Sequence, residues 1–269
     1  MKNVIIFHRG ERMMIMLKRF WASMALLAFL GGCGGTYEAP PQVIKKSSQA
    51  EAKLNLGASY LAQGKTALAL RELMRAEELD PDNAQIQNHL GLAYLAKDRL
   101  DEALEYFKKA LAIDPKLSEV RNNMGLVYLR EGRYDEALAQ FQTAVADLLY
   151  QTPHYAQNNI GQVFVAQGKY SEAIGAFRKA LEMSPRFALA YNNLGEVYYK
   201  NENYSVALEN FQKAVDFAPQ YSYAYFNLAE THLKMNRLEE AKENYRKASQ
   251  LAPDTPLSAK AQDRLRILP

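Results

Sequence analysis

Residues 84–117 read AQIQNHLGLAYLAKDRLDEALEYFKKALAIDPKL. In the first half, Leu90, Gly91 and Tyr94 share one helical face. In the second, Ala103, Phe107 and Ala110 do so at i, i+4 and i+7, so the stretch is a pair of amphipathic helices. Asp98 sits between them, at a place that calls for a helix stop or a positive φ. Pro115 cannot continue the second helix and closes the unit.

The frame recurs along the chain. Glycines at 57, 91, 125, 161 and 195, with Ala229 in register, are spaced by 34, 34, 36, 34 and 34 residues. An aromatic residue or histidine follows three positions later at Tyr60, Tyr94, Tyr128, Phe164, Tyr198 and His232. A large apolar residue stands at Leu73, Phe107, Phe141, Phe177, Phe211 and Tyr245, between alanines that keep the same register. The inter-helix turns fall at Gly64, Asp98, Gly132, Gly168, Glu202 and Asn236. A period this regular takes precedence over local features.

These residues resemble the tetratricopeptide repeat, in six copies over residues 50–255: 50–83, 84–117, 118–153, 154–187, 188–221 and 222–255. The resemblance implies an all-α fold, a right-handed superhelical solenoid. Physical reasoning agrees, because one helix pair cannot bury its apolar faces alone and six must stack. Residues 256–269 carry Leu257, Ala261, Leu265 and Leu268 on one stripe, the pattern of a C-terminal capping helix. Lys260, Asp263, Arg264 and Arg266 are expected on its solvent side.

The chain has 269 residues, 48% hydrophobic and 23% charged, which excludes disordered and collagen-like classes. Its net charge of +3 is concentrated at the start: Lys2, Arg9, Arg12, Lys18 and Arg19 face only Glu11 within residues 1–32, so the remainder is close to neutral. A near-neutral body lacks the basic stripe that nucleic acid requires, and no nucleic-acid partner is expected.

Behind Lys18 and Arg19 runs an apolar stretch, Phe20 to Leu30, of 11 residues. A membrane span needs about 20, so residues 1–32 read as a signal peptide. The polar stretch His8 to Arg12 ahead of it fits poorly, and translation is expected to start at Met13, Met14 or Met16, leaving the residues before that start, up to 1–15, outside the protein. The junction Leu30-Gly31-Gly32-Cys33 resembles a bacterial lipobox and contains the chain's sole cysteine. That resemblance implies cleavage before Cys33 and lipidation of its thiol. Residues 33–49, with Gly, Pro and Ser but no sustained period, are expected to form a flexible tether. Gly34, where aspartate would favour inner-membrane retention, resembles the outer-membrane sorting pattern and places the protein on the periplasmic face.

Catalytic signatures are missing. The histidines at 8, 89, 154 and 232 are scattered, with His232 at a packing position, and neither a phosphate-binding glycine loop nor a nucleophile elbow occurs. No enzyme activity, cofactor, metal or small-molecule substrate is expected. Asn55, Asn123, Asn159, Asn193 and Asn227 recur at one repeat position, which reads as repeat consensus ahead of a peptide clamp. Gly175 alone among the glycines from 57 to 195 is outside the repeat pattern.

The third unit is two residues longer and replaces its closing proline with Asp147-Leu148-Leu149-Tyr150-Gln151-Thr152-Pro153. With six repeats and the lipobox, it resembles the pilotin lipoproteins of type IV pilus systems (the PilF/PilW/Tgl family). The resemblance implies a lipid-anchored scaffold that assists outer-membrane secretin assembly, with a secretin subunit as partner. The alternative is another periplasmic scaffold, for polysaccharide export or cell-wall synthesis. The partner groove is expected on the concave side of repeats four to six, at Tyr155, Asn158, Gln162, Asn192, Glu196, Tyr199, Tyr223, Phe226 and Glu230. There rigid aromatics stand beside carboxylates able to accept hydrogen bonds or pair with a cation. Tyr199→Ala with Phe226→Ala is expected to abolish capture without loss of fold.

Overall fold

The computed structural model describes residues 41–269, with side-chain surroundings from Lys46 onward. Met1–Pro40 lies outside the described residues, and with it the signal peptide, Cys33 and the first part of the tether. Residues Lys46–Pro269 form one compact unit.

Thirteen helices make up the described chain: α1 (Pro41–Ala62), α2 (Thr66–Leu79), α3 (Ala84–Ala96), α4 (Leu100–Ile113), α5 (Ser118–Arg130), α6 (Tyr134–Ala146), α7 (Pro153–Ala166), α8 (Tyr170–Met183), α9 (Ala188–Lys200), α10 (Tyr204–Phe217), α11 (Ser222–Lys234), α12 (Leu238–Leu251) and α13 (Pro256–Ile267). They pair as six hairpins followed by the cap, an all-α right-handed superhelical solenoid.

Two boundaries differ from expectation. The tether is helical from Pro41, not flexible to residue 49. Proline suits a first helical position, and Gln42–Gln49 contains no glycine or proline. The helix therefore propagates back from buried Ala50, one hydrogen bond per residue. The fourth hairpin starts at Pro153, one residue before the frame, because that proline takes the first turn of α7.

The period has a steric cause. A Cβ at Gly125 would lie 2.5 Å from Cε1 of Phe141, so this face of α5 must be bare for the α6 ring to reach it; Gly91 and Phe107 repeat the relation at the same distance. Phe107, Phe141, Phe177, Phe211 and Tyr245 are fully buried, one in each hairpin from the second to the sixth, and Leu73 takes the place in the first. Burying each such ring contributes about 1.5–3 kcal/mol.

The turns within hairpins all require positive φ: +70° to +74° at Gly64, Gly132 and Gly168, and +59° at Asp98, Glu202 and Asn236. Only glycine enters this region without strain. Side chains cap the ends of some helices: Asn83 accepts from Gln85 N and Ile86 N at the start of α3, and Thr255 from Ser258 N at the start of α13.

Candidate functional site

The inner face of the solenoid carries a ladder of asparagines. Asn123 Nδ2 donates to Asn88 Oδ1 at 3.0 Å, Asn159 to Asn122 at 2.9 Å, Asn193 to Asn158 at 2.8 Å and Asn227 to Asn192 at 2.9 Å. Each bond joins the first helix of one hairpin to that of the next, so the recurrent asparagine locks neighbouring repeats in register. Asn158 is 1% exposed, and its amide therefore stiffens the face more than it offers it to a ligand.

At the C-terminal end the ladder opens into a cleft of about 780 Å³ between α9, α11 and α13. Asn192 and Asn227 both donate to Glu196 Oε1, at 2.8 and 3.1 Å, which orients this exposed carboxylate at the rim. Tyr199 lines the wall, edge-on to Tyr204 at 5.4 Å between centroids. Burial, reinforced by the Glu230 charge, raises its hydroxyl pKa above the usual value, so it remains a neutral donor at neutral pH. Phe226 forms part of the lining and meets Tyr245 edge-on at 5.5 Å. Lys200, Lys260 and Asp263 add charge of both signs, and Ile267 adds an apolar lip.

Glu196, Tyr199, Phe226 and Glu230 are thus brought together, with Asn192 directly behind Glu196. Tyr155, Asn158, Gln162 and Tyr223 do not line the cleft. Tyr155 packs instead against His154 and Phe187, with centroids 4.6 and 4.8 Å away, and Tyr223 is 59% exposed near the start of α11.

The expected roles change at two of the four cleft residues. Glu230 Oε1 already accepts from the Tyr245 hydroxyl at 2.5 Å and from Arg264 Nε at 2.9 Å, so it anchors the cap before it can serve a ligand. Phe226 packs under α13 with Leu265 and Leu268, so its truncation loosens the cap as well as the cleft. The polar side of α13, expected to face water, contributes Lys260, Asp263 and Arg264 to the cleft wall. Sequence reasoning missed these residues. The available signal was the separation of 34 between Glu230 and Arg264, one repeat period.

Tetratricopeptide-repeat family models match residues 48–116, 82–149 and 186–254, and a further TPR-repeat model matches 161–202. No curated protein matches the chain in sequence. Among solved structures, PilF of Pseudomonas aeruginosa is 23% identical with a TM-score of 0.63, and the match covers 82% of this chain and 99% of PilF. PilW, described as a widely conserved type IV pilus biogenesis factor, is 23% identical with a TM-score of 0.66 over 79% of this chain and 98% of its own. A chain of the Cut9–Hcn1 hetero-tetramer is 18% identical with a TM-score of 0.68, but only 46% of it is matched.

Proposed function

Because the chain belongs to the tetratricopeptide-repeat family, we propose that it is a non-catalytic scaffold, lipid-anchored through Cys33 on the periplasmic face of the outer membrane, which binds a protein partner in the cleft of repeats five and six. In this reading the partner is a secretin subunit, and the role is that of a pilotin in type IV pilus biogenesis.

The cleft carries the reading. It sets a neutral tyrosine hydroxyl, a buried-edge aromatic and an oriented carboxylate around a volume that suits one or two side chains of an inserted segment. The solved folds give further support, since PilF and PilW are matched over nearly their whole lengths. Fold alone assigns no partner, which is why the test must name one.

The full-length protein, purified in mild detergent, is presented to the secretin subunit of the same cell envelope. Tyr199→Ala with Glu196→Gln is expected to abolish capture while leaving the melting temperature near that of the parent. Gln85→Ala, in the N-terminal half, retains it. Undiminished capture by the double variant would remove the cleft from consideration, and failure of the parent protein to bind any secretin would point to the alternative periplasmic scaffold.

A further inference from the structure

Glu196 of α9, Glu230 of α11 and Arg264 of α13 stand 34 residues apart each time, at one register of three successive inner helices. The last two form a pair, with Arg264 Nε donating to Glu230 Oε1 at 2.9 Å. A carboxylate at this register is therefore met by a guanidinium one repeat further on. Glu196 is denied that partner. The residue one repeat on from it is Glu230, a like charge already held by Arg264 and by the Tyr245 hydroxyl.

The Glu196 carboxylate is nevertheless fixed in place. Its Oε1 accepts from Asn192 Nδ2 at 2.8 Å and, across the repeat junction, from Asn227 Nδ2 at 3.1 Å. Among the described residues Oε2 accepts no bond and no cation pairs with this side chain. Two amide donors remove the rotational freedom that makes most exposed carboxylates weak partners. Tyr199 follows three positions later, so its ring stands on the same face of α9 and offers a surface to a planar cation.

The other charges of the cleft decide the sign of the ligand. Glu230 and Asp263 are taken up internally, by Arg264 and Arg266. Lys200 and Lys260 pair with no acid, but both are exposed, and the Lys200 ammonium lies 5.9 Å from the Tyr170 ring centroid. Ammonium groups on free four-carbon stems stay hydrated and gain little from an incoming carboxylate. Glu196, held by its amides, is the charge that a ligand gains most by meeting.

We infer that Glu196 selects an arginine of the partner segment, whose guanidinium donates to Oε2 and lies beside Tyr199, repeating in trans what Arg264 does for Glu230. An apolar neighbour of that arginine rests on Phe226 and Ile267. The inference rests on the cleft reading above and adds the chemical class that the cleft takes.

The test uses the full-length protein in mild detergent and overlapping peptides that span the secretin subunit. Peptides whose binding is lost in Tyr199→Ala should contain arginine. Citrulline in its place keeps the shape, removes the charge and should weaken binding about tenfold, the usual worth of a hydrogen bond to a charged group. In Glu196→Gln, which keeps an acceptor for Asn192 and Asn227, the same replacement should change affinity by less than about twofold, because the interaction is already gone. Lys200→Ala with Lys260→Ala should tighten binding about twofold by removing like charge. Peptides that need Tyr199 but are indifferent to citrulline or to Glu196→Gln overturn the inference alone. Weaker binding in the lysine variant also overturns it and assigns an acidic segment to the cleft. If no peptide binds, or if binding ignores both Tyr199→Ala and Glu196→Gln, the cleft reading falls and this inference with it. Should Glu196→Gln fail to fold, the citrulline peptides decide on the parent protein.

Discussion

Arg264 of α13 reaches back one repeat to Glu230 of α11, donating from Nε to Oε1 at 2.9 Å and from Nη2 to Oε2 at 3.4 Å. The same Oε1 accepts from Tyr245, so one carboxylate ties cap, first helix and second helix together. Burial first, and the hydrogen bond to Glu230 second, raise the pKa of the Tyr245 hydroxyl far above its ordinary value and keep it a donor. Arg264→Ala should cost about 1 kcal/mol, since the guanidinium is partly exposed and water replaces much of the pairing. Hydrogen exchange should rise across residues 256–267 while α3 to α6 stay protected; a uniform rise would show that the cap is not a separate end unit.

In the middle of the stack the consequence is larger. Phe141→Ala empties a fully buried site and should cost about 3–5 kcal/mol in urea unfolding. Because each hairpin touches only its neighbours, this loss uncouples the two halves of the solenoid. Tyr245→Ala, at the end, should instead fray α12 and α13 first. Equal melting shifts for the two variants would argue against a linear stack.

Two glycine-to-alanine substitutions should act with opposite signs. Gly125→Ala places a methyl 2.5 Å from the Phe141 ring and should destabilise by about 1–3 kcal/mol, the usual cost of overpacking. Gly175→Ala meets nothing within 4 Å on an exposed face of α8 and should stabilise by about 0.5–1 kcal/mol through helix propensity. Thermal melts of the pair check both signs.

Glu202 turns the chain at φ +59°, where a side chain is strained. Glu202→Gly should gain about 0.5–1 kcal/mol, the relief exceeding the added entropy of the unfolded chain. A loss of stability would mean that the side chain makes a compensating contact.

Acid sensitivity should centre on Glu72, a buried carboxylate bonded by Lys53 at 2.7 Å, Arg75 at 3.0 Å and Arg71 at 3.1 Å. The Lys53 hydrogen bond, partly opposed by burial, holds its pKa below the ordinary value. A lowered folded pKa stabilises above the unfolded value of about 4.3 and loses that contribution as pH falls through the folded one. Glu72→Gln should therefore be less stable at neutral pH and show a flatter acid limb in the range below about pH 4. An unchanged acid limb would show that Glu72 does not report on folding.

The hairpin fold was legible because its physics is local and periodic. Gly91 with Phe107, Asp98 at the turn and Pro115 at the exit each state a constraint that acts within 34 residues, and repetition amplifies it. The tether boundary was not legible, since Pro41 and the residues after it permit either coil or helix until buried Ala50 anchors the first turn. The asparagine period was visible, but its partner was not: Asn193 bonds Asn158 across a repeat junction, and the offset of 35 residues depends on the twist between hairpins. The site depends on that twist as well. Spacing along the helices placed Tyr155, Tyr199 and Tyr223 on a common face. Tertiary packing alone sent Tyr155 to His154 and Phe187, put Tyr199 in the cleft and let α13 occupy Glu230, because small rotations per repeat accumulate and no single repeat encodes their sum.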